Sequence, residues 1–248
     1  PGALLYKRGQ RAAEAHTRKV CPEAPKASVW IAADSDEGRA YWDALQLMRA
    51  WTKANHEAIH DLVCDGLGAR PRDRFWNEHN FVFRRSDGLY LHGKGATPAW
   101  ADYAEDAQGL TLIPLNMSEP VLITRGLDKP GALGFAPHGA GRNTSRSAHL
   151  RRLEGRPPAE VLAEETAGLD IRFFADTPDL SELPSAYKNA DAVRRQIDAH
   201  GLAEVVDAVE PIGSIMAGDW QAGFRAERRR RDKSRDQSRK ASRAAKRR

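Results

Sequence analysis

A run of nine residues, 138–146, contains the side chains of this chain that are best suited to holding and transferring a phosphate group. His138 is a potential nucleophile, and Gly139 and Gly141, on either side of an alanine, let the backbone approach a ligand closely. The run also contains two arginines, whose charges suit phosphate oxygens. These residue types together predict a site that holds a phosphate beside a nucleophilic imidazole.

A helix is expected at the end of this run, beginning near Ser145, and free amides in its first turn can face an anion. Arg142 and Arg146 lie four residues apart, so we expect both on one face of that helix. A glycine-rich turn before a helix is nevertheless common, and a histidine there is more often a structural residue. The spacing alone therefore leaves both the structural and the catalytic interpretation open.

A second motif, His56-Glu57-x-x-His60, matches the H-E-x-x-H pattern of zinc hydrolases. On a helix both imidazoles would share one face, and Glu57 could activate a zinc-bound water. The extended form of the motif has a glycine where Val63 stands, so the sequence indicates no third ligand. A zinc hydrolase is a less favoured alternative.

One long amphipathic helix near the N-terminus is predicted after the capping residues 34–37. Apolar and small residues recur at three- and four-residue steps from Tyr41 to Leu62, and two glycines shortly afterwards end the pattern. The apolar residues 29–33 before the cap predict a short strand or an extended segment.

The middle of the chain changes to strand-like patterns. An Asp-Gly turn at residues 87–88 joins the segments 81–83 and 89–92, which predicts a β-hairpin. Strands grouped between helices favour an α+β fold of mixed sheets with flanking helices over a regular βαβ alternation. Further strands or apolar segments are expected at 110–114, 121–124, 169–174, 205–209 and 212–216, and further helices at 145–153, 159–166 and 191–200.

Polar residues flank both ends of the predicted hairpin. Residues 77–80 precede it and residues 92–97 follow it, so both segments meet at one edge of the strand pair. That arrangement can form a site. A histidine at the start of a strand is usually structural, however, and a Gly-Lys-Gly sequence is too short to count as a P-loop.

The composition is that of a globular protein, with 248 residues, 41% hydrophobic and 29% charged. No stretch approaches the roughly 18 apolar residues that a membrane span needs, and no leader peptide is evident. Cys21 and Cys64 stand in no metal-binding or redox spacing. We therefore expect no membrane partner and a cytoplasmic location.

The end of the chain is strongly basic. Residues 225–248 contain thirteen Lys or Arg and three acidic residues, a net charge of +10, which leaves residues 1–224 at −5. No apolar residue larger than alanine occurs there, so this tail cannot build a core and is expected to be disordered or helical. Attraction to RNA and a merely solubilising role are both open. Three segments are predicted: a polar segment 1–28, a core 29–218 and a basic tail 219–248.

Five short segments follow one another in a distinctive order: residues 78–82, 94–97, 113–117, 138–146 and 186–191. Taken in this order, they resemble the RtcB-type RNA-splicing ligases. Similarity extends to residues 30–38 and the long helix after them, so the resemblance covers roughly residues 28–218. The family joins an RNA end with a 3′-phosphate or a 2′,3′-cyclic phosphate to a 5′-hydroxyl end, using GTP and manganese.

The resemblance implies a role for individual residues. His138 would take GMP as a covalent phosphoramidate. His79 would be a manganese ligand, and with Asn80 it would also line the guanylate pocket. The other residues implied to contact the nucleotide are Pro114, Leu115, Asn116, Met117, Val121, Gly139, Ala140, Gly141 and Tyr187, and those implied to contact RNA or phosphate are Lys94, Arg142 and Arg146.

By this resemblance the chain is a GTP- and Mn²⁺-dependent RNA ligase of RNA repair or tRNA splicing. Three phosphoryl transfers are implied: His138 attacks the α-phosphorus of GTP, GMP passes to the RNA 3′-phosphate, and the 5′-hydroxyl displaces GMP. RNA, as tRNA or as broken RNA ends, is the expected partner, and the sequence does not fix the oligomeric state. The alternative from a different class is a noncatalytic remnant of the family that binds RNA ends.

Several positions depart from the family pattern. The family's other manganese ligands, an Asp, a Cys and two His, lie in an N-terminal half, and no segment before Trp30 resembles them. Leu115 and Asn116 stand where the family commonly has Gly-Ser, and Val121 stands in place of a serine. The family's C-terminal lysine, which contacts guanine, has no counterpart here. The chain opens at Pro1 without a methionine, so we expect a processed or a truncated protein.

Overall fold

The structure is a computed structural model that describes residues 2–103, 109–175 and 177–218, so the predicted basic tail lies outside the described residues. The chain divides into two compact units, residues 1–74 and 75–248. Helices and several small sheets confirm the predicted α+β class. No described helix is both long enough and apolar enough to cross a membrane. The segment boundaries expected at residues 28 and 218 stay predictions.

The first unit contains two helices, α1 (Gly2–Val20) and α2 (Asp36–Leu67). The start of α2 confirms the predicted cap, because the Ser35 hydroxyl oxygen accepts a hydrogen bond of 3.0 Å from the Gly38 amide. The helix ends at Gly68, whose φ of +63° is a left-handed conformation that glycine adopts without strain. The long helix predicted from the sequence is thus confirmed, a few residues longer than expected.

Close packing joins α1 to α2 and to the segment between them. A Cβ atom on Gly9 would lie 2.4 Å from the ring of Tyr41, so any larger residue there would displace that ring. The Thr17 hydroxyl accepts a hydrogen bond from the Trp30 amide (2.9 Å) and donates one to the Trp30 carbonyl (3.2 Å). The residues around Trp30 are therefore an extended segment held by a side chain rather than a strand of a sheet.

The apolar stripe predicted along α2 is covered over only part of its length. Tyr41, Leu45 and Met48 are half-buried. Farther along the helix, Ile59 is 47% exposed and Leu62 is 72% exposed. Periodicity predicts which face of a helix is apolar, but it does not supply a neighbouring element to cover that face.

The second unit begins with the predicted hairpin, in which β1 (Val82–Arg84) pairs antiparallel with β2 (Tyr90–His92). A second pair, β3 (Ala96–Pro98) with β6 (Phe135–Pro137), was not predicted from the sequence. Each of these strands has three residues and ends in proline, so neither shows the alternation by which a strand is recognised.

The largest sheet is antiparallel, with strand order β4-β5-β8, and comprises Leu110–Pro114, Val121–Gly126 and Ala203–Val209. A small parallel pair is formed by β7 (Asp170–Phe173) and β9 (Gly213–Met216). These strands confirm the positions expected from the sequence. The remaining helices are α3 (Arg146–Arg152), α4 (Pro158–Glu165) and α5 (Ala190–Ala199), and short 3-10 turns cover Pro130–Ala132, Leu180–Glu182 and Pro184–Ala186.

Two buried clusters support this unit. In the larger one, Ile113 and Leu122 of the main sheet and Ile197 of α5 are fully buried. The smaller one is aromatic, with Phe83 and Trp100 meeting edge to face at 5.7 Å between ring centroids. The main sheet and β3 thus give a rigid support for the loops that follow β4 and β6.

Candidate functional site

Two histidines from distant parts of the chain meet at the entrance to β3. The ring centroids of His79 and His138 are 4.8 Å apart. The Asn80 amide donates to the Ala96 carbonyl (3.2 Å), and the His138 amide donates to the Gly95 carbonyl (3.4 Å). The start of β3 therefore holds both histidine segments, one on each side.

Asn80 fixes the conformation of the backbone at the start of β3. Its side-chain oxygen accepts a hydrogen bond of 2.6 Å from the Gly95 amide. Its φ of +53° is unusual for a residue other than glycine, although asparagine tolerates it better than most. His79 beside it is exposed and His138 is half-buried, so both residues have surface that a ligand can contact.

The glycine-rich turn after β6 lies directly against the end of β4. A Cβ atom on Gly139 would lie 3.0 Å from the Pro114 carbonyl oxygen, and Gly141 has a φ of +72°. Between them Ala140 is 5% exposed and packs into the larger buried cluster. One small side chain thus anchors the turn, while its two glycines leave bare backbone that a ligand can approach.

Residues 114–117 follow β4 and form the other wall of this turn. Leu115 as a whole residue is 2% exposed and belongs to the larger cluster, so it supports this wall from within and offers a ligand almost no surface. The Asn116 side-chain oxygen accepts hydrogen bonds from the amide and hydroxyl of Ser118, each 2.9 Å long. Met117 is half-buried, and Val121 pairs with Pro114 across the sheet. Their assignment to nucleotide binding stays a prediction.

The two arginines of the run do not lie on one helix face as expected. Helix α3 begins at Arg146, so Arg142 precedes it. Both guanidinium groups nevertheless converge on Glu182: Arg142 Nη2 lies 2.7 Å from a carboxylate oxygen, and Arg146 contacts the other oxygen. Arg146 also lies 3.6 Å from Asp179. The difference arises because Arg142 lies in a β-bridge with Tyr187 and the chain bends at residues 143–144 before the helix begins.

Glu182 is the centre of this cluster and was not recognised in the sequence. The side chains of Glu182 and Arg142 are 16% and 21% exposed. The Tyr187 hydroxyl donates to the same carboxylate, and the Arg142 guanidinium lies 4.9 Å from the Tyr187 ring centroid. The contact between Arg142 and Glu182 spans forty residues, so no local pattern could have revealed it.

Burial raises the pKa of Tyr187 to about 12, and the hydrogen bond to Glu182 acts in the same direction. Because the folded pKa lies above the unfolded value, the stability from this group is present below about pH 10 and is lost as the pH rises through 12.

The substitution Tyr187→Phe removes this ionisable group. As the pH rises between these two values, we expect the free energy of unfolding of Tyr187→Phe to fall less than that of the wild type. Urea unfolding at stepped pH measures the difference, with Tyr90→Phe, at an exposed tyrosine, as control. A pH dependence identical to the wild type would contradict this expectation.

The other predicted residues lie at the edges of the site or away from it. Lys94 is exposed and immediately precedes Gly95. His56 and His60 are exposed on α2, in the first unit. Among the described residues no group of three or more His, Cys, Asp or Glu could hold a metal ion. The structure therefore gives no support to a zinc centre at the His56 motif. The structure also leaves the manganese site implied for His79 incomplete, because the described residues supply too few further ligands.

The glycine-rich turn after β6 and the neighbouring pair of His79 and His138 form a class of site that can hold a phosphate group. The phosphate would lie against backbone that carries no side chain, next to an imidazole. Comparison with known proteins identifies the family. The family described as tRNA-splicing ligase RtcB matches residues 6–217, and the chain belongs to this family. The predicted resemblance is thereby confirmed.

Individual relatives agree with this assignment. The tRNA-splicing ligase RtcB of Archaeoglobus fulgidus is 30% identical over 187 residues, which cover 69% of this chain and 38% of the relative. That of Aeropyrum pernix is 30% identical over 203 residues, with 76% and 42% covered. The RNA-splicing ligase RtcB of Mycobacterium bovis is 28% identical over 205 residues, with 75% and 46% covered. The chain thus spans about two fifths of the length of these relatives.

Proposed function

We propose that this chain takes part in joining RNA ends and that His138 carries GMP during the reaction. The observation on which the proposal depends is the approach of the His79 and His138 rings to 4.8 Å, next to the turn of Gly139 and Gly141. Membership of a family whose members are named RNA-splicing ligases supports the type of reaction. A cytoplasmic location and RNA as the partner belong to the same proposal.

The proposed sequence has three transfers. A nitrogen of His138 attacks the α-phosphorus of GTP, so that a P–N bond forms and pyrophosphate leaves. An oxygen of the RNA 3′-phosphate then takes over the guanylate and frees the imidazole. Finally the 5′-hydroxyl oxygen attacks the phosphorus at the RNA 3′ end, which forms the new phosphodiester and releases GMP.

The chain's own groups have defined tasks in these steps. A neutral imidazole must present one free nitrogen, which the half-buried position of His138 allows. Backbone amides of the glycine turn can donate to phosphate oxygens, and nearby cations can offset the charge that develops on them. Manganese would supply Lewis-acid chemistry when bound, with His79 as its implied ligand, but the described residues contain no group of three or more His, Cys, Asp or Glu that could hold it, so no step is assigned to the metal.

Covalent labelling tests the proposal. The chain is incubated with manganese and GTP labelled either on the α- or on the γ-phosphorus, denatured, and analysed on a gel. We expect label from α-labelled GTP only, in an acid-labile and alkali-stable linkage, because a P–N bond has this stability. Label from γ-labelled GTP, or an acid-stable linkage, would contradict it.

A noncatalytic role in binding RNA ends is the second candidate. It is favoured by one observation, the lack of a metal-binding group of three or more side chains among the residues that the structure describes. In this case the chain would take no label from GTP but would still bind RNA with a 3′-phosphate more tightly than RNA with a 3′-hydroxyl. The two measurements therefore separate the two candidates.

A further inference from the structure

A short backbone ribbon joins the glycine-rich turn to residues 186–188. The Lys188 amide donates to the Gly141 carbonyl, and the Asn143 amide donates to the Ala186 carbonyl, each at 3.0 Å. Arg142 and Tyr187 form the antiparallel bridge between these two bonds. The position of Lys188 is thus tied to the turn by the main chain itself.

The ribbon separates its side chains onto two faces. Directly opposed residues of an antiparallel pair share a face, and the next pair faces the other way. Arg142 and Tyr187 occupy one face with Glu182, as their contacts show. Gly141 and Lys188 are the neighbouring pair, and Lys188 Nζ lies 3.8 Å from the position that a Cβ atom of Gly141 would have. The ammonium group therefore lies against the bare backbone of the turn.

Lys188 differs from the two arginines in its charge balance. Glu182 pairs with both Arg142 and Arg146, and Asp179 lies 3.6 Å from Arg146, so two carboxylates already offset the two positive charges within the protein. Lys188 is exposed, and within the described ranges no carboxylate lies within the 4.0 Å of an ion pair. At this turn Lys188 is therefore a cation whose charge is available to a ligand.

We propose that Lys188 binds a phosphate oxygen of the ligand held at the turn of Gly139 and Gly141. The inference rests on the proposed function, because the phosphate is that of the nucleotide or of the RNA 3′ end. A lysine ammonium is a compact charge with three donors on a flexible stem, and it serves as a phosphate ligand beside glycine-rich backbone in other proteins. Arg142 is then chiefly a positioning residue, which holds the ribbon and Tyr187 through Glu182.

Equilibrium binding to the full chain tests this role. The probes are GTP and guanosine, and RNA oligonucleotides of one sequence that end in a 3′-phosphate or a 3′-hydroxyl. We expect Lys188→Met to weaken binding of one phosphate-bearing probe about tenfold, because a charged hydrogen bond to it is lost. Guanosine and the 3′-hydroxyl oligonucleotide should bind as to the wild type. A loss confined to GTP identifies the nucleotide phosphate, and one confined to the 3′-phosphate RNA identifies the RNA end.

Two further variants make the test specific. Lys188→Arg should restore most of the affinity, and Lys129→Met removes the same charge from an exposed lysine elsewhere in the unit and should change nothing. Equal binding to Lys188→Met and wild type would overturn the role of Lys188 and leave the proposed function standing. The role of Lys188 would also be overturned if Lys129→Met lost as much affinity as Lys188→Met, or if Lys188→Met lost as much affinity for the 3′-hydroxyl RNA as for the 3′-phosphate RNA. Either result would indicate unspecific electrostatic attraction. A wild-type chain that binds neither phosphate probe would overturn both.

Discussion

Replacing His138 with alanine is expected to reduce covalent GMP attachment by more than about 1,000-fold, to the background of the gel assay. The substitution removes the nitrogen that would attack the α-phosphorus, and no other side chain at the site can replace it in the same position. His79 is near, at 4.8 Å between ring centroids, but it belongs to the other segment at the start of β3. The rate of labelling with α-labelled GTP measures the effect.

The control for this prediction is a histidine outside the site. His200 follows α5 at the surface and contacts Gln196, so His200→Ala should be labelled as the wild type is. Circular dichroism of both variants checks that the fold is kept. Undiminished labelling of His138→Ala would remove this residue from the role of nucleophile, whereas loss of label in both variants would indicate a general defect in folding.

Several elements of the fold were predictable from the sequence because their signals are local. Ser35 and Gly68 delimit α2 by capping chemistry, and the Asp-Gly turn determines the β1–β2 hairpin. Family resemblance then indicated which loops meet. The approach of His79 and His138 is consistent with that indication.

Other features were not predictable because they depend on contacts between distant residues. The strands β3 and β6 are stable only as a pair, and neither sequence shows a strand pattern. The exposure of Leu62 on α2 could not be foreseen, since an apolar period does not say whether a neighbour is present. The arginines were expected to bind phosphate, and that expectation took no account of Glu182, which lies forty residues from Arg142.

Glu182→Gln is expected to lower the free energy of unfolding by about 2 kcal/mol, more than most single substitutions of a carboxylate would. The carboxylate is 16% exposed and is shared by Arg142, Arg146 and the Tyr187 hydroxyl. Removing its charge leaves two guanidinium groups close together, of which Arg142 is only 21% exposed and poorly hydrated. The effect falls below the 3–5 kcal/mol typical of fully buried pairs because Arg146 is 60% exposed and can turn to water. Urea unfolding at neutral pH provides the measurement.

A matched control exists in the same unit. Glu164 pairs with Arg156 at the surface, where the two side chains are 65% and 46% exposed, so Glu164→Gln should cost less than about 0.5 kcal/mol. The contrast between the two variants measures what burial and the additional partners of Glu182 contribute, because both variants remove one carboxylate charge but only Glu182 is shielded and shared. Equal losses would mean that the Glu182 cluster is no better shielded from water than a surface pair. In that case Arg142 would be as free as Lys188 to bind a phosphate, and the division of roles between the two faces of the ribbon would be wrong.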